Sequence, residues 1–251
     1  MDPTTRFSTR VADYARHRPG YPAQIVETLQ RECGLTRDSV IADIGCGTGL
    51  LAKLFCESGN RVYGVEPNAD MLDSARQLLR DHPQFVAVAG RAEATTLPGA
   101  LVDFVTAAQA FHWFERQAAK QEFRRILKLN GWVVLIWNER LIEATAFTRA
   151  YEELLLEFGV DYHDVKRRWP GPRLAEVFAP ATMHTAALEN PQILDRAGLT
   201  GRILSASYMP QPGHPRYDAM LPAIERLFEQ YQSGGTVRME QEMRMYYGQP
   251  G

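Results

Sequence analysis

The residues with the most chemical potential are the run Asp43-Ile44-Gly45-Cys46-Gly47-Thr48-Gly49 and, further on, Glu66. Glycines at this spacing remove the Cβ atoms that would keep a ligand away from the backbone. A helix starting directly after them presents unpaired N–H groups that favour a carboxylate or phosphate. Glu66 lies 17 residues beyond Gly49, and a carboxylate there can accept hydrogen bonds from both hydroxyls of a ribose. These residue types together point to a nucleoside-bearing cofactor. The nearest competitor is a dinucleotide site, but its GxGxxG fingerprint fails here because the sixth position is Leu50. A tight turn without a ligand would use the same glycines. The loop therefore takes its meaning from Asp43 before it and Glu66 after it.

A second cluster with chemical potential is Phe111-His112-Trp113-Phe114. An unperturbed imidazole titrates near neutrality, which makes His112 the candidate general base if an acceptor must lose a proton. The same histidine could instead orient a loop or pack among the aromatic rings. The three cysteines, Cys33, Cys46 and Cys56, are odd in number and lack a CxxC pair. Neither a disulfide framework nor a metal site is expected, and a reducing, cytoplasmic setting fits best.

The elements that must position these residues follow from periodicity. From Ser39 to Asn138, short β-rich apolar runs alternate with segments of helical period, the pattern of βαβ units building a parallel sheet. Strands are expected at 40–44, 61–65, 85–89, 101–107 and 131–137. Leu50, Leu51, Leu54 and Phe55 share one helix face, and Asn68 is placed to cap the next helix. A helix is expected over 118–129. Beyond Asn138 the period becomes helical through Phe158, and Trp169-Pro170-Gly171-Pro172 reads as a loop. Strands at 182–188 and 236–247, with helices over 193–208 and 221–232, complete the reading.

Lys and Arg number 28 against 30 Asp and Glu, a net charge of -2 that supplies no broad attraction to nucleic acid or to an anionic membrane. Met1 to Arg18 lacks the apolar core of a signal peptide, and no run of about 18 apolar residues occurs. The expected partner is a small molecule, and the expected state is a monomer or homodimer.

The chain resembles the class I S-adenosylmethionine-dependent methyltransferases through DIGCGTG at 43–49, GVEPN at 64–68, GRAEATTLP at 90–98 and ILKLNGWVVLIW at 126–137. AQAFHWFE at 108–115 and DYARHRPGYP at 13–22 are similar to the branch containing trans-aconitate-methyltransferase-like enzymes. The resemblance implies an α/β, doubly wound, seven-stranded and mostly parallel sheet of order 3-2-1-4-5-7-6, its last strand antiparallel, with a helical cap. It divides the chain into N-terminal cap helices (1–34), a cofactor-binding core (35–140), and a cap insertion with the final two strands (141–251).

For the site, the resemblance implies S-adenosylmethionine as cofactor. The backbone around Gly45 and Gly47 lies by the methionine moiety, Asp43 and Thr48 are also expected to bind the cofactor, and Glu66 lies on the ribose. Pro67, Asn68 and Met71 flank ribose and adenine. Arg91 replaces an Asp or Asn that often meets the adenine amino group, leaving the backbone of Ala92 and the side chain of Glu93 as substitutes. Gln109 faces the methionine end. Tyr14 and Arg18 are expected to fold over the cofactor, Arg18 against a carboxylate, although both also fit a helix ending at Pro19. Trp113, Trp137, Arg140, Tyr208 and residues near Trp169 are the expected acceptor lining. Methyl transfer to a small carboxylate or hydroxyl is the implied activity, with a nucleoside-binding regulatory module or a dinucleotide oxidoreductase as alternatives.

Overall fold

The computed structural model describes residues 18–167 and 174–251. In chain order, α1 (Gln24–Cys33) precedes an alternation of β1 (Val40–Ile44), α2 (Leu50–Glu57), β2 (Arg61–Glu66), α3 (Ala69–Leu78), β3 (Phe85–Ala89), β4 (Val102–Ala108), α4 (Arg116–Ile126) and β5 (Leu127–Arg140). The second half comprises α5 (Ala146–Phe158), α6 (Tyr162–Arg167), α7 (Ala175–Phe178), β6 (His184–Glu189), β7 (Gln192–Leu194), α8 (Arg196–Leu204), α9 (Tyr217–Tyr231), β8 (Val237–Met239) and β9 (Gln241–Gly248).

Seven strands form one sheet in the order β3-β2-β1-β4-β5-β9-β6. β1 to β5 pair in parallel, and β9 lies antiparallel between β5 and β6. This is the expected order, with β9 as the seventh strand of the sheet. Successive strand residues face opposite ways, so Ile41 packs with Leu29, Phe55 and Val62 on one face, while Ala42 packs with Val105 and Phe123 on the other. The order in which strands are added to the sheet reverses between β1 and β4, which run parallel, and this opens a crevice at their carboxyl ends.

A third core lies apart from the sheet. Phe147, Tyr151 and Leu155 of α5 pack with Leu199 and Ile203 of α8, Ile224 and Phe228 of α9, and Val237 and Met239 of β8. These elements make the cap.

Several boundaries differ from the periodicity reading. The helix expected over 118–129 is Arg116–Ile126, because the Glu115 side chain accepts from Gln117 N and Ala118 N and starts it earlier. Its C-terminal residues Leu127 to Leu129 instead open β5. The strand expected over 236–247 breaks at Glu240: β8 turns away to pair with β7 in a separate ribbon, and only β9 joins the main sheet. Ile193, expected in a helix, belongs to β7, and α8 starts only where Asp195 accepts from Gly198 N at 2.7 Å. The last helix begins at Tyr217 rather than Leu221.

Candidate functional site

The glycine loop is tied to the second strand by backbone hydrogen bonds. Gly45 N and Cys46 N both donate to Val65 O, at 2.8 and 3.2 Å. Glu66 extends this connection, since Oε2 accepts from Gly47 N at 3.0 Å and Oε1 from Asn68 N at 2.9 Å. Burial raises the Glu66 carboxyl above its usual range, against these two donated N–H groups. Asn68 caps α3 by accepting from Met71 N at 3.0 Å. The position is therefore partly structural.

The glycines are needed for shape. Gly45 has φ +67° and Gly47 φ +54°, and a Cβ on Gly45 would stand 2.7 Å from Ala110 Cβ. Across the crevice, Gln109 holds φ +55°, a conformation that costs a non-glycine residue and clusters at functional sites. Its N–H donates to Ile136 O at 2.9 Å and its Nε2 to Asn138 O at 3.0 Å, which hold it there.

An open cleft of about 720 Å³ runs along this crevice, lined among others by Gly47, Glu66, Met71, Glu93, Gln109 and Trp113. Gly45, Pro67 and Ala92 also line it, as do Arg91, Ala110 and Phe114, which sequence reasoning did not assign to it. A second cavity of about 310 Å³ shares Gly45, Gly47 and Ala108 with the cleft and adds Tyr21, Asp43 and Thr48. A third of about 260 Å³ shares Tyr21 and Leu50 with the second and Gln109 with the first, and adds Arg18, Asn138 and Arg202. The three thus adjoin one another through shared lining residues.

Buried polar atoms face the second cavity. Asp43 Oδ1 accepts from Thr106 Oγ1 at 2.9 Å, whereas Asp43 Oδ2 and Thr48 Oγ1 have no hydrogen-bond partner among the described residues. Burial pushes the Asp43 carboxyl up to about 7, opposed by the Thr106 hydroxyl and reinforced by the charge of Glu66. The Ala52 N–H faces this carboxyl and favours its ionised form, though without hydrogen-bond geometry.

The loop after β3 is pinned to α4. Glu122 accepts from Thr95 N at 2.8 Å and Thr95 Oγ1 at 2.5 Å, and from Arg125 Nε at 2.7 Å. Those bonds, the Arg125 pair first, hold its carboxyl down at about 2. Glu93 Oε1 accepts from Glu115 N at 2.8 Å, which ties the same loop to the start of α4.

Other expected site residues fall elsewhere. Trp137 is 4% exposed and packs edge-on against Tyr246 in the core, and it is not among the residues that line the cleft. Arg140 is half-buried, its side chain 17% exposed, donating to Glu152 at 2.9 Å and to Tyr162 Oη at 2.7 Å. Tyr208 packs on Tyr162, with ring centroids 4.6 Å apart. His112 sits in a 3-10 turn (Phe111–Trp113) with its ring 4.9 Å from that of Trp113, and only Trp113 lines the cleft. Tyr14 and Trp169 lie outside the described residues. Among the described residues no group of three or more His, Cys, Asp or Glu is placed to hold a metal, and no helix is long and apolar enough to cross a membrane.

Known proteins share these features. Residues 42–135 match a family model described as a methyltransferase domain. An uncharacterized methyltransferase of Schizosaccharomyces pombe is 37% identical over 135 residues, 53% of each chain, so the chain spans about half the length of that relative. One from Mycobacterium tuberculosis is 33% identical over 207 residues, covering 82% of this chain and 79% of its own. A solved structure from Anaeromyxobacter dehalogenans, named for a type II methyltransferase, superposes with TM-score 0.60 at 21% identity over 92% of this chain and 97% of that one, a likeness of fold alone. With the glycine loop, the strand order and a relative matched over most of both chains, this chain belongs to the class I S-adenosylmethionine-dependent methyltransferase family.

Proposed function

We propose that the protein transfers a methyl group from S-adenosylmethionine to a small-molecule carboxylate or hydroxyl and releases S-adenosylhomocysteine. The observation that carries this reading is Glu66, whose carboxylate lines the cleft directly beside the Cβ-free backbone of Gly45 and Gly47. The unpartnered Asp43 Oδ2 and Thr48 Oγ1 in the adjoining cavity suit the polar amino-acid end of such a cofactor. Each Glu66 oxygen already accepts one backbone N–H and retains a lone pair for a ribose hydroxyl. Met71 and Pro67 supply apolar wall for the base.

The bound cofactor supplies a methyl carbon activated by a sulfonium, to which the acceptor oxygen bonds as the carbon–sulfur bond breaks and its electron pair stays on sulfur. The protein's part is alignment and exclusion of water, and positioning of this kind lowers a barrier by about 7–11 kcal/mol. Gln109, locked by Ile136 and Asn138, and Trp113 are the walls that do so. A carboxylate acceptor is already ionised at neutral pH and needs no base. For a hydroxyl acceptor, His112, in the turn that carries Trp113, is our candidate to take the proton.

Calorimetric titration with S-adenosylmethionine, S-adenosylhomocysteine and NAD tests the cofactor. Binding of the first two without NAD is expected, and binding of NAD alone would overturn the reading. Formation of S-adenosylhomocysteine with a panel of carboxylic acids and alcohols tests the activity. A protein that binds cofactor yet yields no product across the panel is a binding module instead.

A further inference from the structure

Two arginines line the third cavity, and one of them, Arg202 from the cap, is buried. Arg202 of α8 is 5% exposed, its Nε has no hydrogen-bond partner, and among the described residues no carboxylate pairs with its guanidinium. Arg18 lines the same cavity and donates from Nη2 to Ser205 O at 3.2 Å. Arg140 is close enough that its charge, like that of Arg18, acts on Arg202, but Arg140 is already paired with Glu152. Burial, and then the charge of Arg18, draw the Arg202 guanidinium down to about 10, so it is still cationic at neutral pH. Three guanidiniums thus share a region in which Glu152 is the paired carboxylate.

A buried cation without a partner costs the fold heavily and persists where something completes it. A second observation at the same end of the sheet agrees. Gln241, the cross-strand register partner of Arg140, is 2% exposed with both side-chain amide atoms unpartnered among the described residues. The unmet groups include donors, and a planar guanidinium fork matches a planar carboxylate with two parallel hydrogen bonds. The cavity is small, joined to the cleft through Gln109, and lies at the far end from Met71 and Arg91.

We propose that Arg202, with Arg18 beside it, is the receptor for a carboxylate at the cap end of the cleft. This rests on the methyltransferase reading above. The carboxylate belongs either to the amino-acid end of the cofactor or to the acceptor, and the two sources separate by titration. S-adenosylhomocysteine and 5′-methylthioadenosine, which lacks the amino-acid end, are titrated into the wild type and Arg202→Met. If the cofactor supplies the carboxylate, R202M weakens S-adenosylhomocysteine tenfold or more and leaves methylthioadenosine unchanged. If the acceptor supplies it, R202M binds both as the wild type does. Succinate or benzoate added to the S-adenosylhomocysteine-saturated protein then raises the melting temperature of the wild type and not of R202M.

Either pattern supports the proposal. R202M that matches the wild type in all these measurements overturns it. R202M without ligand is expected to melt no lower than the wild type, because it removes an unpaired buried charge. Should it fail to fold, Arg202→Gln is read in the same way, and wild-type behaviour of R202Q throughout overturns the proposal. Failure of the wild type to bind S-adenosylhomocysteine overturns the methyltransferase reading itself, a result distinct from an unaltered R202M.

Discussion

Glu66 carries two roles at the scale of a single residue. Its oxygens hold Gly47 N and Asn68 N, and it walls the cleft. Glu66→Ala therefore removes ligand hydrogen bonds and leaves two backbone donors without their acceptor. We expect S-adenosylhomocysteine binding to weaken by about 1–3 kcal/mol and the unliganded fold to lose a similar amount. Calorimetry and urea unfolding separate the two effects; undiminished affinity in a folded variant would remove Glu66 from the site. Residues of this kind are legible in a sequence because their role is tied to a local place, the end of a strand. Arg202 was not legible in that way. Nothing in the run Arg196–Leu204 marks one arginine as buried, since its burial depends on α8 packing within the cap and on residues distant in sequence, such as Gln109 and Asn138, that line the same cavity.

At the scale of elements, the loop after β3 and helix α4 act as one unit. Glu122 is buried and satisfies the Thr95 backbone N–H, which has no other described acceptor, while pairing with Arg125. Glu122→Ala should cost about 2 kcal/mol, the penalty of leaving such groups unmet, measured as a lower urea midpoint. Because Ala92 and Glu93 sit on the same loop, cofactor affinity should fall as well. Affinity unchanged in the destabilised variant would show that the loop's anchorage does not reach the cleft. The expectation of a helix over 118–129 missed this arrangement at both ends: the Glu115 cap and the early start of β5 are decided by hydrogen bonds, not by apolar period.

At the scale of the whole molecule, two buried carboxylates pull stability in opposite directions with pH. Asp43 holds its proton to about pH 7 in the fold, whereas the unfolded chain releases it near pH 4. Its contribution is complete below about pH 4 and is lost as pH rises to about 7, by up to about 4 kcal/mol. Glu122, held down at about 2, contributes above the ordinary carboxylate range and loses that contribution as pH falls toward about 2. The unliganded protein should therefore be most stable near pH 4–5, as urea midpoints across a pH series would show. Asp43→Asn should flatten the decline toward neutrality, and a slope that survives this change would assign it to other groups.

Sequence alone determined what depends on near neighbours. The alternation of strand and helix through residue 138, the glycine loop between the first strand and helix, and the acidic residue closing the second strand are all set by short-range period and backbone freedom. Tertiary structure decided what depends on distant packing. Residues 236–247 carry one continuous pattern, yet their split into β8 and β9 follows from two different partners, β7 and β5. Trp137 and Arg140 looked as exposed to the cleft as Trp113 did, but the pairing of β5 with β9 buries the first, and the cap engages the second. The same packing gives Gln109 its strained backbone and encloses Arg202. Burial is a property of surfaces brought together from far apart in the chain, so local spacing could find the cofactor loop and not Arg202 at its far end.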